Sequence, residues 1–96
     1  MVDLFEALSA RARRAILDEL CERDEQTLFE ICTRLTMKHG LGLTRQAISQ
    51  HLGVLESVDL VKSRRQGRYK FHSIDTRPLG VILERWKRRG NKGEMQ

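Results

Sequence analysis

With 96 residues, 40% hydrophobic and 32% charged, the sequence has the length and composition of one soluble globular domain, and it contains no apolar run long enough to span a bilayer. Two cysteines eleven residues apart cannot make a disulfide framework, which predicts a reducing, cytoplasmic setting, and one small core leaves little room for a deep catalytic cleft. The net charge of +5 is uneven: residues 1–61 hold seven basic and ten acidic residues, a net of −3, and residues 62–96 hold eleven and three, a net of +8. A basic block on a folded domain is the footprint of a phosphate-backbone binder, and it favours nucleic acid over a membrane surface.

The chain starts Met1-Val2-Asp3-Leu4-Phe5-Glu6, with acids where a secretory signal would carry bases. Leu4, Phe5 and Leu8 form a short helical stripe, and Ser9 is a candidate cap for a second helix running to about Cys21. Ala12, Ile16, Leu17 and Leu20 face inward on that helix, and Arg13, Arg14 and Asp18 outward. Glu22-Arg23-Asp24-Glu25-Gln26 reads as a loop. Thr27, followed three residues later by Glu30, makes a capping box, so a third helix starts there with Leu28, Ile31, Cys32 and Leu35 inward. Lys38-His39-Gly40-Leu41-Gly42 reads as a turn, and Thr44 caps a fourth helix from Arg45 to about Ser57.

The fourth helix separates into two faces. Ala47, Ile48, His51, Leu52 and Leu55 fall on one side; Arg45, Gln46, Ser49, Gln50 and Gly53 fall on the other. An ordinary solvated face mixes Glu with Lys, whereas this one holds no acid. Its Arg, Gln and Ser side chains are the types that hydrogen-bond base edges.

Strand patterns follow at Leu60–Arg64 and Arg68–Ser73. A three-residue loop, Arg65-Gln66-Gly67, pairs Arg64 with Arg68 and Lys62 with Lys70. It groups Val61, Ser63, Tyr69 and Phe71 on the opposite face. A two-residue turn at Gln66-Gly67 would instead mix charge with aromatics, so the longer loop is expected. Four cations, Lys62, Arg64, Arg68 and Lys70, then share one face with Arg65 at the tip. Like charges facing one another destabilise a lone hairpin, and a polyanionic ligand is the simplest reason to place them there.

A final helix is expected from about Thr76 to Arg89, capped by Asp75, with Pro78 in its first turn. Leu79, Ile82, Leu83 and Trp86 make one apolar stripe, and Arg85, Lys87, Arg88 and Arg89 crowd the last turn. Together with Leu4, Phe5 and Leu8, that stripe predicts a two-fold homodimer interface. Residues 91–96 read as a disordered tail, leaving residues 1–90 as one DNA-binding and dimerisation domain.

A mainly α chain with a small β-hairpin, in the order α-α-α-α-β-β-α, is the order of a winged helix-turn-helix. On double-stranded DNA, Thr44, Arg45 and Gln46 would lead the recognition helix into the major groove, with Ser49 and Gln50 one turn behind. Lys62, Arg64, Arg65, Arg68 and Lys70 would lie on the backbone or the adjacent minor groove.

The run LTRQAISQHLGVLESVDLVKSRRQGRYKFHSID, residues 43–75, resembles the recognition helix and wing of the ArsR-type transcriptional regulators. LFEALSARARRAILDEL is similar to that family's first two helices, and PLGVILERW to its terminal dimerisation helix. The resemblance implies a bacterial or archaeal homodimer, cytoplasmic and nucleoid-associated, that binds an inverted repeat, usually as a repressor released by a signal. Two departures stand out. Family members that sense metal use paired cysteines on the third helix or an Asp-x-His pair at the last; here Ile31-Cys32-Thr33-Arg34 and Asp75-Thr76-Arg77 place an Arg at each. No metal or other cofactor is therefore expected, and Cys21 and Cys32 read as small core residues. Seventeen residues separate Thr27 from Thr44, several more than usual, so Thr36–Gly40 either lengthens the third helix or loosens the turn.

No nucleophile–base pair, carboxylate pair or phosphate-binding glycine loop marks an enzyme. Stacking aromatics are too scarce for single-stranded RNA. The competing expectation is a winged-helix protein-interaction module with only non-specific DNA affinity. A small-molecule effector is compatible with either.

Overall fold

The structure, a computed structural model, describes residues 2–87; the expected tail at 91–96, with Arg88 and Arg89, lies outside them. Five helices and a hairpin follow in order: α1 (Leu4–Leu8), α2 (Arg11–Glu22), α3 (Leu28–His39), α4 (Arg45–Ser57), β1 (Val61–Gln66), β2 (Tyr69–Ile74) and α5 (Leu79–Arg85). The core lies where α2, α3 and α4 meet. Ile16, Leu20, Ile31, Leu35, Ile48 and Leu55 are wholly inaccessible there, and Leu60 and Val61 close it from the wing side.

Local chemistry sets the helix ends. Asp3 and Glu6 form a capping box on α1, and Thr27 and Glu30 form the expected one on α3. Ser9 does not cap α2, which starts after Ala10 without a side-chain cap; its Oγ donates to the Glu6 carbonyl at 2.7 Å. Arg13, expected to point outward, instead satisfies carbonyls at the end of α1. Its Nε donates to Ala7 O (2.8 Å) and a terminal nitrogen donates to Glu6 O (3.1 Å). The last carbonyls of a helix have no intrahelical donor, and this arginine, like Arg14 on Leu8 O, supplies one. Cys21 is exposed rather than in the core, and Cys32 is half-buried.

The segment from Glu22 to Gln26 is more than a solvated loop. Gln26 is fully buried, and its Nε2 donates to the carbonyls of Glu19 (3.2 Å) and Arg23 (2.7 Å). Its backbone exchanges two hydrogen bonds with His72 of β2, at 3.0 and 2.8 Å.

Lys38 and His39 belong to α3, not to a turn; the left-handed residue that ends the helix is Gly40 (φ 65°). The additional residues therefore lengthen α3. They reach Glu19, a carboxylate only 2% exposed: His39 Nε2 lies 2.8 Å from its Oε2, Lys38 Nζ 3.4 Å, and Arg34 3.5 Å from its Oε1. Lys38 also pairs with Glu22. At its far end α4 closes in a Schellman motif, with Asp59 at φ 63°, Leu60 N donating to Leu55 O and Asp59 N to Glu56 O.

The hairpin departs from the expected register. Arg64 lies opposite Phe71, Arg65 opposite Lys70 and Gln66 opposite Tyr69, leaving a two-residue turn of Gly67 and Arg68. Gly67 has φ 63° and Arg68 a negative φ, the combination that favours glycine in a type II′ turn. Relative to expectation the pairing slips by three residues, an odd number, so every β2 side chain changes face. The cause is long-range: the Gln26 bridge holds His72 inward beside Val61, so Tyr69 and Phe71 face away from the core. The four expected cations consequently do not share a face. Lys62 and Arg64 lie with Tyr69 and Phe71, Arg65 and Lys70 lie on the other side, and Arg68 sits in the turn.

The last helix is shorter than the sequence suggests, seven residues from Leu79. Asp75 does not cap it. Its carboxylate instead accepts from Arg77, from the backbone N (3.0 Å), Nε (2.9 Å) and a terminal nitrogen (2.6 Å), and this turns the chain before Pro78.

Candidate nucleic-acid interface

α4 is held from its buried side, which leaves the opposite face free. Thr44 Oγ1 accepts from Ala47 N at 3.0 Å and fixes where the helix starts. Ile48, Leu52 and Leu55 anchor it in the core, and His51 Nδ1 lies 3.0 Å from the Arg13 guanidinium. Burial and the adjacent Arg13 cation both push the His51 pKa down, so the imidazole accepts rather than donates in this contact. Arg45, Gln46, Ser49 and Gln50 are all exposed, and none has a side-chain hydrogen bond to another described residue. Thr44 is exposed beside them, although its oxygen is engaged in the cap. The five expected base readers thus form one surface, with Thr44 partly structural.

The wing cations divide by what they touch. Lys62 lies 3.7 Å from Asp59, and Arg64 lies 2.5 Å from Glu25 and 5.1 Å above the Phe71 ring. Arg65, Arg68 and Lys70 are exposed and have no ion-pair partner among the described residues. Arg65 and Lys70 face each other directly across the strands. Such a like-charge pair costs stability in isolation.

Between α4 and the wing runs a cleft of about 500 Å³. Arg45, Ser49 and Glu56 line it from the helix, and Arg68, Lys70 and His72 from the wing. His72 is 5% exposed, and burial, outweighing the Glu56 carboxylate, pushes its pKa down. Nothing in the sequence singles out this pair, because Glu56 on α4 and His72 on β2 meet only in the fold.

Elsewhere the ionisable groups have structural duties. Burial alone would raise the Glu19 pKa, but hydrogen bonds from His39 and Lys38 outweigh it and hold the carboxylate ionised. Among the described residues no group of three or more His, Cys, Asp or Glu is arranged to hold a metal ion, and no helix is long and apolar enough to cross a membrane.

Of the expected dimer residues, Leu4, Leu8, Leu79 and Ile82 are half-buried. Phe5, Leu83 and Trp86 are exposed, at 40%, 71% and 64%. Val81, 66% exposed, extends the same helix's apolar surface, and the Phe5 and Trp86 rings lie 5.8 Å apart, joining α1 to α5.

A core of three helices, an unencumbered polar face on the last of them and a cationic hairpin beside it define a winged helix-turn-helix DNA-binding protein. A helix-turn-helix domain model matches residues 8–64, and the ArsR-like transcriptional regulator from Rhodococcus sp. RHA1 superimposes with a TM-score of 0.76 at 31% identity, covering 93% of this chain and 75% of that one. The chain belongs to the ArsR-type winged helix-turn-helix transcriptional regulators. It is 48% identical over 83 residues to the uncharacterized HTH-type transcriptional regulator YuzN of Bacillus subtilis (strain 168), covering 86% of this chain and 90% of that protein. It is also similar to the transcriptional repressor SdpR of the same organism, at 27% identity over 98% of this chain and 97% of that one.

Proposed function

We propose that this DNA-binding regulator acts as a repressor, binding an inverted-repeat operator as a homodimer in the cytoplasm. Arg45, Gln46, Ser49 and Gln50 read bases in the major groove, Thr44 contacts the groove edge, and the wing lies on the backbone or adjacent minor groove. The observation that carries this is the exposed, unpartnered set Arg45, Gln46, Ser49 and Gln50 on α4, with Arg68 and Lys70 of the wing facing Arg45 and Ser49 across the cleft. A polyanion would neutralise both members of the opposed pair Arg65 and Lys70. Repression is supported by the likeness to SdpR, and a homodimer by the exposed Phe5, Leu83 and Trp86.

Selection of bound sequences from random duplexes tests it. The expected result is a palindromic consensus, with Arg45→Ala and Gln46→Ala each losing about 1–3 kcal/mol of discrimination at a defined base. Absence of any enriched sequence would overturn it in favour of a protein-interaction module.

A further inference from the structure

The cleft between α4 and the wing has a composition that a DNA strand does not explain. Its mouth is cationic, with Arg45 on the helix and Arg68 and Lys70 on the wing. Its lining also includes the apolar side chains of Leu28, Phe29 and Leu52. The half-buried Glu56 carboxylate and the buried His72 imidazole line it as well. His72 Nδ1 is buried without a hydrogen-bond partner among the described residues, and it stands 3.7 Å from Glu56 Oε2, too far for a hydrogen bond. A buried polar atom left unpaired costs roughly 1–3 kcal/mol, which a ligand group would recover.

A phosphodiester strand suits the mouth but not the rest. Its backbone has no donor to offer His72 Nδ1, and its charge opposes Glu56. A planar organic acid suits all three zones. Its carboxylate meets the cations, its ring meets the apolar walls, and a hydroxyl at the other end reaches His72 and Glu56. Burial keeps His72 neutral near pH 7, so Nδ1 can accept that hydroxyl proton. The space is ample for a ligand of this kind.

We propose that this cleft is an effector site for a small aromatic carboxylic acid bearing a hydroxyl group. Occupancy takes Arg45, Arg68 and Lys70 away from DNA and wedges the wing from the recognition helix, so ligand and operator exclude one another. This coupling rests on the DNA-binding role proposed above; the ligand site itself does not.

The test uses 4-hydroxybenzoate on the isotope-labelled full chain without DNA, followed by amide NMR shifts. The expected result is saturable shifts clustered at Gly53, Tyr69, Lys70 and His72, with a Kd on the order of 1 mM. Benzoate, which lacks the hydroxyl, and phenol, which lacks the carboxylate, bind at least about tenfold more weakly. Gly53→Leu fills the cleft from α4, where an added Cβ meets nothing within 4 Å, and it abolishes the shifts without disturbing the core. No saturable shifts, equal shifts with inorganic phosphate, or an unchanged Kd in Gly53→Leu would each overturn the site. With the site in place, saturating 4-hydroxybenzoate weakens duplex binding at least about tenfold, which reports a coupling of about 1.4 kcal/mol. Unaltered duplex affinity overturns the coupling, whereas a chain that takes the acid but never binds a duplex refutes the DNA role and leaves the site standing.

Discussion

Replacing Arg65, Arg68 and Lys70 together by Ala removes the three wing cations that have no internal partner. Each phosphate neutralised by a free cation contributes about 0.9 to the slope of log K against log salt. The triple variant therefore flattens that slope by about 2.7 per bound protomer, which at 0.1 M salt corresponds to affinity about 500-fold weaker. Arg64→Ala and Lys62→Ala behave differently. Arg64 is already 2.5 Å from Glu25 and Lys62 is 3.7 Å from Asp59, so a phosphate must compete for each and the slope changes by much less than 0.9 per site. Fluorescence anisotropy of a labelled duplex, titrated between about 50 and 200 mM salt, measures both effects. An unchanged slope in the triple variant, or equal flattening by Arg64→Ala and Arg65→Ala, would refute the reasoning.

Three further outcomes are expected. Glu19→Gln destabilises the fold by about 1–3 kcal/mol in urea unfolding at pH 7; the loss falls short of that for a fully buried pair because Arg34, Lys38 and His39 are partly exposed and regain water. His51 and His72 both have pKa values depressed in the fold from the ordinary 6.5, by burial and, for His51, by Arg13. The unfolded chain therefore binds protons first, so their contribution is complete above about pH 6.5 and is lost as pH falls through the lower folded values; a melting temperature constant from pH 8 to 5 would contradict this. Trp86 is the sole tryptophan and is exposed in the single chain, so its fluorescence shifts to the blue as dimers form with rising concentration. Trp86→Ala weakens that association by about 30-fold or more in sedimentation equilibrium.

Features decided by neighbours in sequence could be read directly. The Thr27–Glu30 capping box needs only a spacing of three, and the division of α4 into two faces needs only the helical repeat. Where the outcome depended on distant partners, the sequence pointed elsewhere. The hairpin register turned on a single question, which face of β2 goes inward, and that is decided by Gln26 forty-six residues before His72. Segregating apolar from charged residues was a sound local criterion, but Val61 offered the same inward position in both registers, and the buried His72 was not recognisable as a core residue. The length of α3 likewise depends on Glu19 of α2, which receives His39 and Lys38. Arg13 looked like solvated charge because a helix ending nearby, with carbonyls to satisfy, is not visible in the α2 pattern. The exposed polar face of α4 is legible in the sequence, whereas the Glu56–His72 pair that lines the cleft is not.

The backbone clasp between Gln26 and His72 divides the hairpin into a moored root and a free tip. Extra residues spliced between Gln66 and Tyr69 would lengthen the tip with little effect on folding, since no core side chain lies beyond Val61 and His72. Deleting one residue between Arg23 and Thr27 would unmoor the root and with it the angle at which the wing leaves the body. Wing length and wing angle can therefore be engineered separately, the first at the turn and the second in the short connector before α3.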